Sequence, residues 1–175
     1  QKLNYLILHY TAMKSCHEAI EHMCKKRNKV SAHFLVSKKG EVFYLVDIKK
    51  NAWHAGLSFW KDIKGLNSSS IGIEIDNSGH HIYNEDYNHI QIEALCELIK
   101  ILVEKYNILS KNVLGHSDIA PFRKIDPGEK FPWHELNKRR LAYSPIINSV
   151  NFNDQSNKAE INDKYKLYND VLSML

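Results

Sequence analysis

The stretch Gly115-His116-Ser117-Asp118-Ile119-Ala120-Pro121-Phe122-Arg123-Lys124-Ile125-Asp126-Pro127-Gly128 places a histidine and an aspartate ten residues apart across a proline-bearing loop. A second histidine, His9, ends an apolar run far upstream, in Leu6-Ile7-Leu8-His9-Tyr10-Thr11. Two imidazoles and one carboxylate make a three-ligand set for zinc, with the fourth position open to water. Structural zinc is usually closed by four protein ligands, whereas an open position marks a catalytic ion. Hydrolytic chemistry takes place at such a position.

These side chains need elements to deliver them. Residues 4–9 read as a buried strand ending at His9. Ser15-Cys16-His17-Glu18 has the spacing of a capping box and opens a helix with Ala19, Ile20, Met23 and Cys24 on one face. Ser31 to Val36 and Glu41 to Val46, joined by Lys38-Lys39-Gly40, read as a hairpin from their β-branched and aromatic content. Residues 51–70 read as a loop carrying Trp53-His54-Ala55-Gly56, Trp60 and a serine run; so long a loop suggests a site to line. Ile71-Gly72-Ile73-Glu74-Ile75 is a strand whose alternation puts three isoleucines on one face and Gly72 and Glu74 on the other. Residues 86–107 form the longest predicted helix, with Ile90, Ala94, Leu95, Leu98, Ile99, Leu102 and Tyr106 at helical spacing. Val113 to His116 is a short strand delivering His116, and residues 133–142 are a final short helix.

The chain has 175 residues, 43% hydrophobic and 25% charged, which fits one soluble domain with a real core. It has no apolar run of the roughly 20 residues needed to span a bilayer. The net charge of +4 is ordinary solvated surface, and no nucleic-acid partner is expected. Three cysteines, an odd number without a Cys-x-x-Cys, argue against a disulfide framework, and all three read as small buried apolar residues. The chain starts at Gln1 without a methionine, so a missing leader carries no information on location. After Pro145 the composition changes. Residues 1–145 read as the zinc-bearing domain, and residues 146–175 as a polar linker and an amphipathic helical tail with Ile161, Tyr165, Tyr168, Leu172 and Leu175 on one face. The tail could dock back on the domain, bind a partner or lead into a further region; docking is the simplest.

Taken together, several blocks resemble the zinc-dependent N-acetylmuramoyl-L-alanine amidases of the type-2, AmpD-like group, which are similar in fold to peptidoglycan recognition proteins and T7-type lysozyme amidases. The blocks are Leu8-His9-Tyr10-Thr11, Val30-Ser31-Ala32-His33-Phe34, Ala52-Trp53-His54-Ala55-Gly56, Asn67 to Glu74, and Gly115 to Trp133. They follow the family's order over roughly residues 4–143. The resemblance implies an α/β fold with a central mixed β-sheet flanked by helices. The wording leans towards the envelope-associated, AmiD-like branch, which implies the periplasm or outer membrane of a bacterium rather than the cytoplasm. That branch often carries a helical peptidoglycan-binding module after the catalytic domain, and the tail here is too short for one.

Residue by residue, the resemblance implies Zn2+ held by His9, His116 and Asp126. It implies Glu74 as the carboxylate that takes a proton from the attacking water and Lys124 as the cation that stabilises the oxyanion. A strand-like spacing of two would put Lys124 on the side of Asp126. Arg123 reads as a solvated loop cation, and Asp118 as a residue shaping the loop. His33, Trp53, His54 and Asn67 match positions near the family's cleft and are candidate substrate contacts, although His33 is equally compatible with a core histidine bonded to a carbonyl. The implied reaction is hydrolysis of the amide between the lactyl group of N-acetylmuramic acid, or its 1,6-anhydro form, and L-alanine of the peptidoglycan stem peptide. Two rivals are a non-catalytic peptidoglycan-binding module on the same fold and an enzyme cutting another amide.

Overall fold

A computed structural model describes residues 2–143. The expected linker and tail helix lie outside the described residues. Five strands form a mixed sheet in the order β3-β2-β6-β1-β7, where β1 is Tyr5–Tyr10, β2 Phe34–Val36, β3 Val42–Tyr44, β6 Ser70–Ile75 and β7 Val113–Gly115. β1, β2, β6 and β7 run parallel, and β3 returns antiparallel to β2 as the expected hairpin. Gly40 makes that turn with φ +80, a conformation that costs glycine little.

The central strands are apolar because both faces of the sheet are covered. On one face, Leu6, Leu8, Ile71, Ile73 and Ile75 pack against Ile92, Leu95, Ile99 and Leu102 of the long helix α2, His89–Tyr106. On the other, Tyr5, Ile7 and Leu114 pack with Ala55, Leu66 and Ile119, while Leu35 packs with Ala32 and with Ala19 and Met23 of helix α1, Cys16–Cys24. α1 starts as its sequence predicts: the Ser15 hydroxyl accepts from Glu18 N at 3.2 Å.

Some boundaries move for local reasons. α2 begins at His89 because the Asn88 side chain accepts from Gln91 N at 2.9 Å and caps it there. The last helix, α4 (Trp133–Lys138), stops short of residue 142 because Arg140 turns left-handed and Leu141 N closes back on Leu136 O. β7 ends at Gly115, and His116 opens a one-turn helix, α3, His116–Ile119. The stretch 51–70 is not bare loop: β4 (Phe59–Trp60) and β5 (Ile63–Lys64) pair as a small hairpin. Cys96 is buried, but Cys16 is only partly covered and Cys24 is exposed, so the reading of three buried thiols fails for Cys24; all three are free.

Candidate metal centre

His9 stands near the carboxyl end of β1, on the face opposite α2. The parallel register sets it beside Glu74 of β6, and Leu35 of β2 lies on Glu74's other side. His116 follows directly from β7, the other neighbour of β1. Its one-turn helix is shaped by Asp118, whose carboxylate accepts from Gly115 N at 2.7 Å. Asp126 arrives on the loop that follows. Ser117 N donates to Asp126 O at 2.9 Å, and the Tyr87 hydroxyl donates to Pro127 O at 2.8 Å. Gly128 has φ +85, and a Cβ there would lie 2.7 Å from the His80 ring. Phe131, edge-on to both Tyr87 and Trp133, anchors the loop's far end in the core.

Three atoms converge as a result. His9 Nδ1 is 2.9 Å from His116 Nδ1 and 3.1 Å from Asp126 Oδ2, and His116 Nδ1 is 3.0 Å from the same carboxylate oxygen. All three residues are buried, and they form the only His/Cys/Asp/Glu cluster among the described residues that could hold a metal ion. The His116 Nε2–H donates to the Ala55 carbonyl at 3.1 Å, so its Nδ1 presents a lone pair. Burial, partly offset by the neighbouring Asp126 carboxylate and reinforced by His116, brings the His9 pKa down to about 4, so this ring is neutral at ordinary pH. Burial opposes the charge on Asp126, but the two imidazoles packed against its Oδ2, His116 and His9, outweigh it and hold the carboxyl below the usual carboxylate range.

Glu74 is partly covered, and its Oε2 is buried without a hydrogen-bond partner among the described residues. Burial pushes its pKa well above the usual range, the Asp126 charge pushes further, and Lys124 pulls it back. Lys124 lies in an irregular turn rather than on a strand, held by its N–H to Ala120 O at 2.9 Å, so the spacing-of-two reasoning does not describe it. Its charge nonetheless acts on both Glu74 and His9.

The other four candidates separate. His54 joins the cluster: its Nδ1 lies 3.0 Å from His9 Nε2, and its Nε2 lies 3.2 Å from Ser70 Oγ. His33 does not join it. It is fully buried, its Nδ1 accepts from Gly72 N at 3.0 Å and its Nε2 donates to Lys50 O at 3.1 Å. Both ring nitrogens are engaged by main chain, which corrects the substrate-contact reading to that of a core histidine tying β2 to β6. Asn67 Oδ1 accepts from His54 N and Ala55 N, so this side chain shapes the loop under the site. Trp53 is pinned through its main chain to Ser31, and the residue is 46% exposed.

Arg123, read from sequence as a solvated cation, is instead a clamp. Its Nη2 donates to Ala55 O at 2.9 Å and to Leu57 O at 2.8 Å, tying the loop that carries Asp126 to the loop that carries His54. Ala55 O thus serves both Arg123 and His116. Neither this carbonyl nor Ser70 stood out in the sequence, because a main-chain acceptor has no residue type to recognise.

Residues 1–129 match the family described as N-acetylmuramoyl-L-alanine amidase. The chain is 36% identical over 163 residues to the N-acetylmuramoyl-L-alanine amidase AmiD of Escherichia coli (strain K12), covering 86% of this chain and 58% of that protein. It is 39% identical over 105 residues to the 1,6-anhydro-N-acetylmuramyl-L-alanine amidase AmpD of the same organism, covering 60% of this chain and 55% of AmpD. The chain therefore spans little more than half the length of these curated relatives. Among solved structures, E. coli AmiD in complex with the substrate anhydro-N-acetylmuramic acid-L-Ala-D-gamma-Glu-L-Lys superposes with a TM-score of 0.77 at 35% identity, covering 87% of this chain and 63% of that one.

Proposed function

Because the chain belongs to the N-acetylmuramoyl-L-alanine amidase family, we propose that it is a zinc-dependent hydrolase of the amide between the lactyl group of N-acetylmuramic acid, or its 1,6-anhydro form, and L-alanine of the peptidoglycan stem peptide. The observation that carries this reading is the triangle of His9 Nδ1, His116 Nδ1 and Asp126 Oδ2, with edges of 2.9, 3.1 and 3.0 Å. A carboxylate oxygen and a lone pair fixed on His116 are acceptors crowded together, and a cation relieves that crowding. The triangle is small enough for one ion at the roughly 2.0–2.2 Å bond lengths of zinc with nitrogen and oxygen ligands. Two imidazoles and one carboxylate are a donor set that zinc accepts while keeping a position open.

When bound, zinc supplies Lewis acidity, polarising a carbonyl and bringing the pKa of water down towards about 7. The chain's own residues supply the rest. Glu74, one strand from His9 in register, has an unpartnered buried oxygen available to take a proton from the attacking water. Having taken that proton, Glu74 delivers it to the leaving amine of L-alanine. Lys124, already acting on Glu74, offsets the negative charge that develops on the scissile carbonyl oxygen. AmiD was solved with an anhydromuramyl peptide as its substrate, and we take the same chemical class as the substrate here.

A mass-spectrometric product assay tests the reading. The zinc-loaded protein and a chelated control are incubated with purified peptidoglycan and with an anhydro-muropeptide. Free stem peptide beginning with L-alanine, in the zinc-loaded sample alone, is the expected result. Binding without cleavage would favour a recognition module, and cleavage within the stem peptide another amidase specificity. We also propose, from the sequence resemblance to the envelope-associated AmiD-like branch, that the protein resides in the bacterial cell envelope; fractionation of cells expressing it tests this.

A further inference from the structure

Behind His9, on the side away from Asp126, a chain of three polar groups runs back to the main chain. His9 Nε2 lies 3.0 Å from His54 Nδ1, and His54 Nε2 lies 3.2 Å from Ser70 Oγ. Ser70 Oγ in turn lies 2.6 Å from the Leu66 carbonyl. His9, His54 and Ser70 are all buried.

The direction of every bond in this chain follows from its far end. A carbonyl oxygen only accepts, and two oxygens 2.6 Å apart need a proton between them, so the Ser70 hydroxyl donates to Leu66 O. That uses the hydroxyl's single proton. Towards His54, Ser70 Oγ therefore accepts, and the His54 proton is on Nε2. A neutral imidazole carries one N–H, and the two His54 nitrogens meet an imidazole and a hydroxyl rather than a carboxylate. His54 Nδ1 is then a lone pair and accepts from His9 Nε2–H. His9 is left with its own lone pair on Nδ1, the atom 2.9 Å from His116 Nδ1 and 3.1 Å from Asp126 Oδ2.

We propose that Ser70 and His54 are positioning residues that fix the ring proton of His9 on Nε2 and so aim its Nδ1 lone pair into the metal centre. The inference rests on the metal reading given above for its purpose, though the proton positions stand without an ion. It makes His9 the counterpart of His116. One ligand is oriented directly by the Ala55 carbonyl, the other through two side chains by the Leu66 carbonyl. Gly72 makes room for the relay: a Cβ at this position would lie 2.3 Å from the His54 ring.

Two measurements on the full chain test the relay. Long-range 1H–15N spectra of the metal-free, 15N-labelled protein report the tautomers of His9 and His54. Chelator competition reports zinc affinity. In the wild-type protein both rings should carry the proton on Nε2. Ser70→Ala should mix the His54 tautomers and weaken zinc binding by about 10- to 100-fold, the usual range for partners that orient a ligand. His54→Asn offers His9 an amide oxygen that accepts without help from Ser70, so adding Ser70→Ala in that background should change zinc affinity less than twofold. Wild-type tautomers and affinity in Ser70→Ala would overturn the relay. So would an equal loss in both backgrounds, which would show Ser70 acting other than through His54. A wild-type protein that binds no zinc would sink the metal reading instead, and the tautomer spectra of Ser70→Ala would still decide the relay.

Discussion

Strand β6 carries two different kinds of surface. On its α2 side, Ile71, Ile73 and Ile75 are fully buried among aliphatic side chains. On its other side, Ser70 bonds to one carbonyl and lies against one imidazole, Gly72 is covered by that imidazole, and Glu74 has an oxygen with no partner among the described residues. Burial of the isoleucines is non-directional and roughly proportional to area, so many apolar arrangements would serve. The polar side works through single bonds of fixed direction, where one atom out of place has no substitute. Stability and chemistry are thereby assigned to opposite faces of the same six residues.

The contrast can be broken most directly at His116. His116→Ala should lose both zinc and turnover while keeping its fold, as read by metal content after dialysis, the product assay and circular dichroism. Stoichiometric zinc in that variant would show the ligand assignment to be wrong. Glu74→Ala should keep zinc and lose turnover by at least about 10²-fold, the low end for a positioned acid or base. Retained activity would remove Glu74 from the reaction.

The other face should respond the opposite way. Ile73→Ala, next to Glu74 but pointing into the core, should lower unfolding free energy by about 2–5 kcal/mol with zinc affinity unchanged. A large loss of zinc affinity there would mean that the two faces are not separable.

The pH response sharpens the comparison. The pKa of His9 falls from its ordinary 6.5 to about 4 on folding, so between those values the unfolded chain binds more protons than the folded one. Stability of the metal-free protein should therefore be complete above pH 6.5 and decline as the pH falls towards 4, by about 3 kcal/mol at most from this group. Denaturant titrations of the Glu74→Gln variant at pH 7.5 and 5 measure it, because the raised Glu74 pKa works with the opposite sign over the same window, and a flat profile there would contradict neutral buried histidines at the site. The smallest effect belongs to a residue remote from both faces: Asn88→Ala, which removes the α2 cap, should cost about 1 kcal/mol in the same titration and leave zinc affinity alone.

How much of this was legible in sequence depended on whether a side chain or the main chain does the work. β1, β6, α1 and α2 follow from periodicity and capping, because a repeat of apolar residues directly encodes which face is covered. The convergence of His9, His116 and Asp126 was legible as residue types in order. The routes were less so: His116 opens a helical turn, and Lys124 sits on an irregular turn, because neither has a periodic neighbourhood to read. His33 and His54 looked alike as isolated histidines. They differ only in what lies beyond the ring, main-chain groups for one and His9 for the other. Arg123 was misread because its partners are the carbonyls of Ala55 and Leu57, to which any residue could contribute.

The space over Gly72 has a consequence for how such a site can change through descent. The imidazole of His54 occupies the volume where a side chain at 72 would begin. Neither position can drift alone: any larger residue at 72 meets the ring, and an apolar residue at 54 leaves His9 Nε2 and Ser70 Oγ without their partner. The two form a linked pair in which the first step in either direction is harmful. Replacing the ring by a residue of another shape therefore calls for a matched change at position 72, so the two positions are coupled by shape as well as by chemistry.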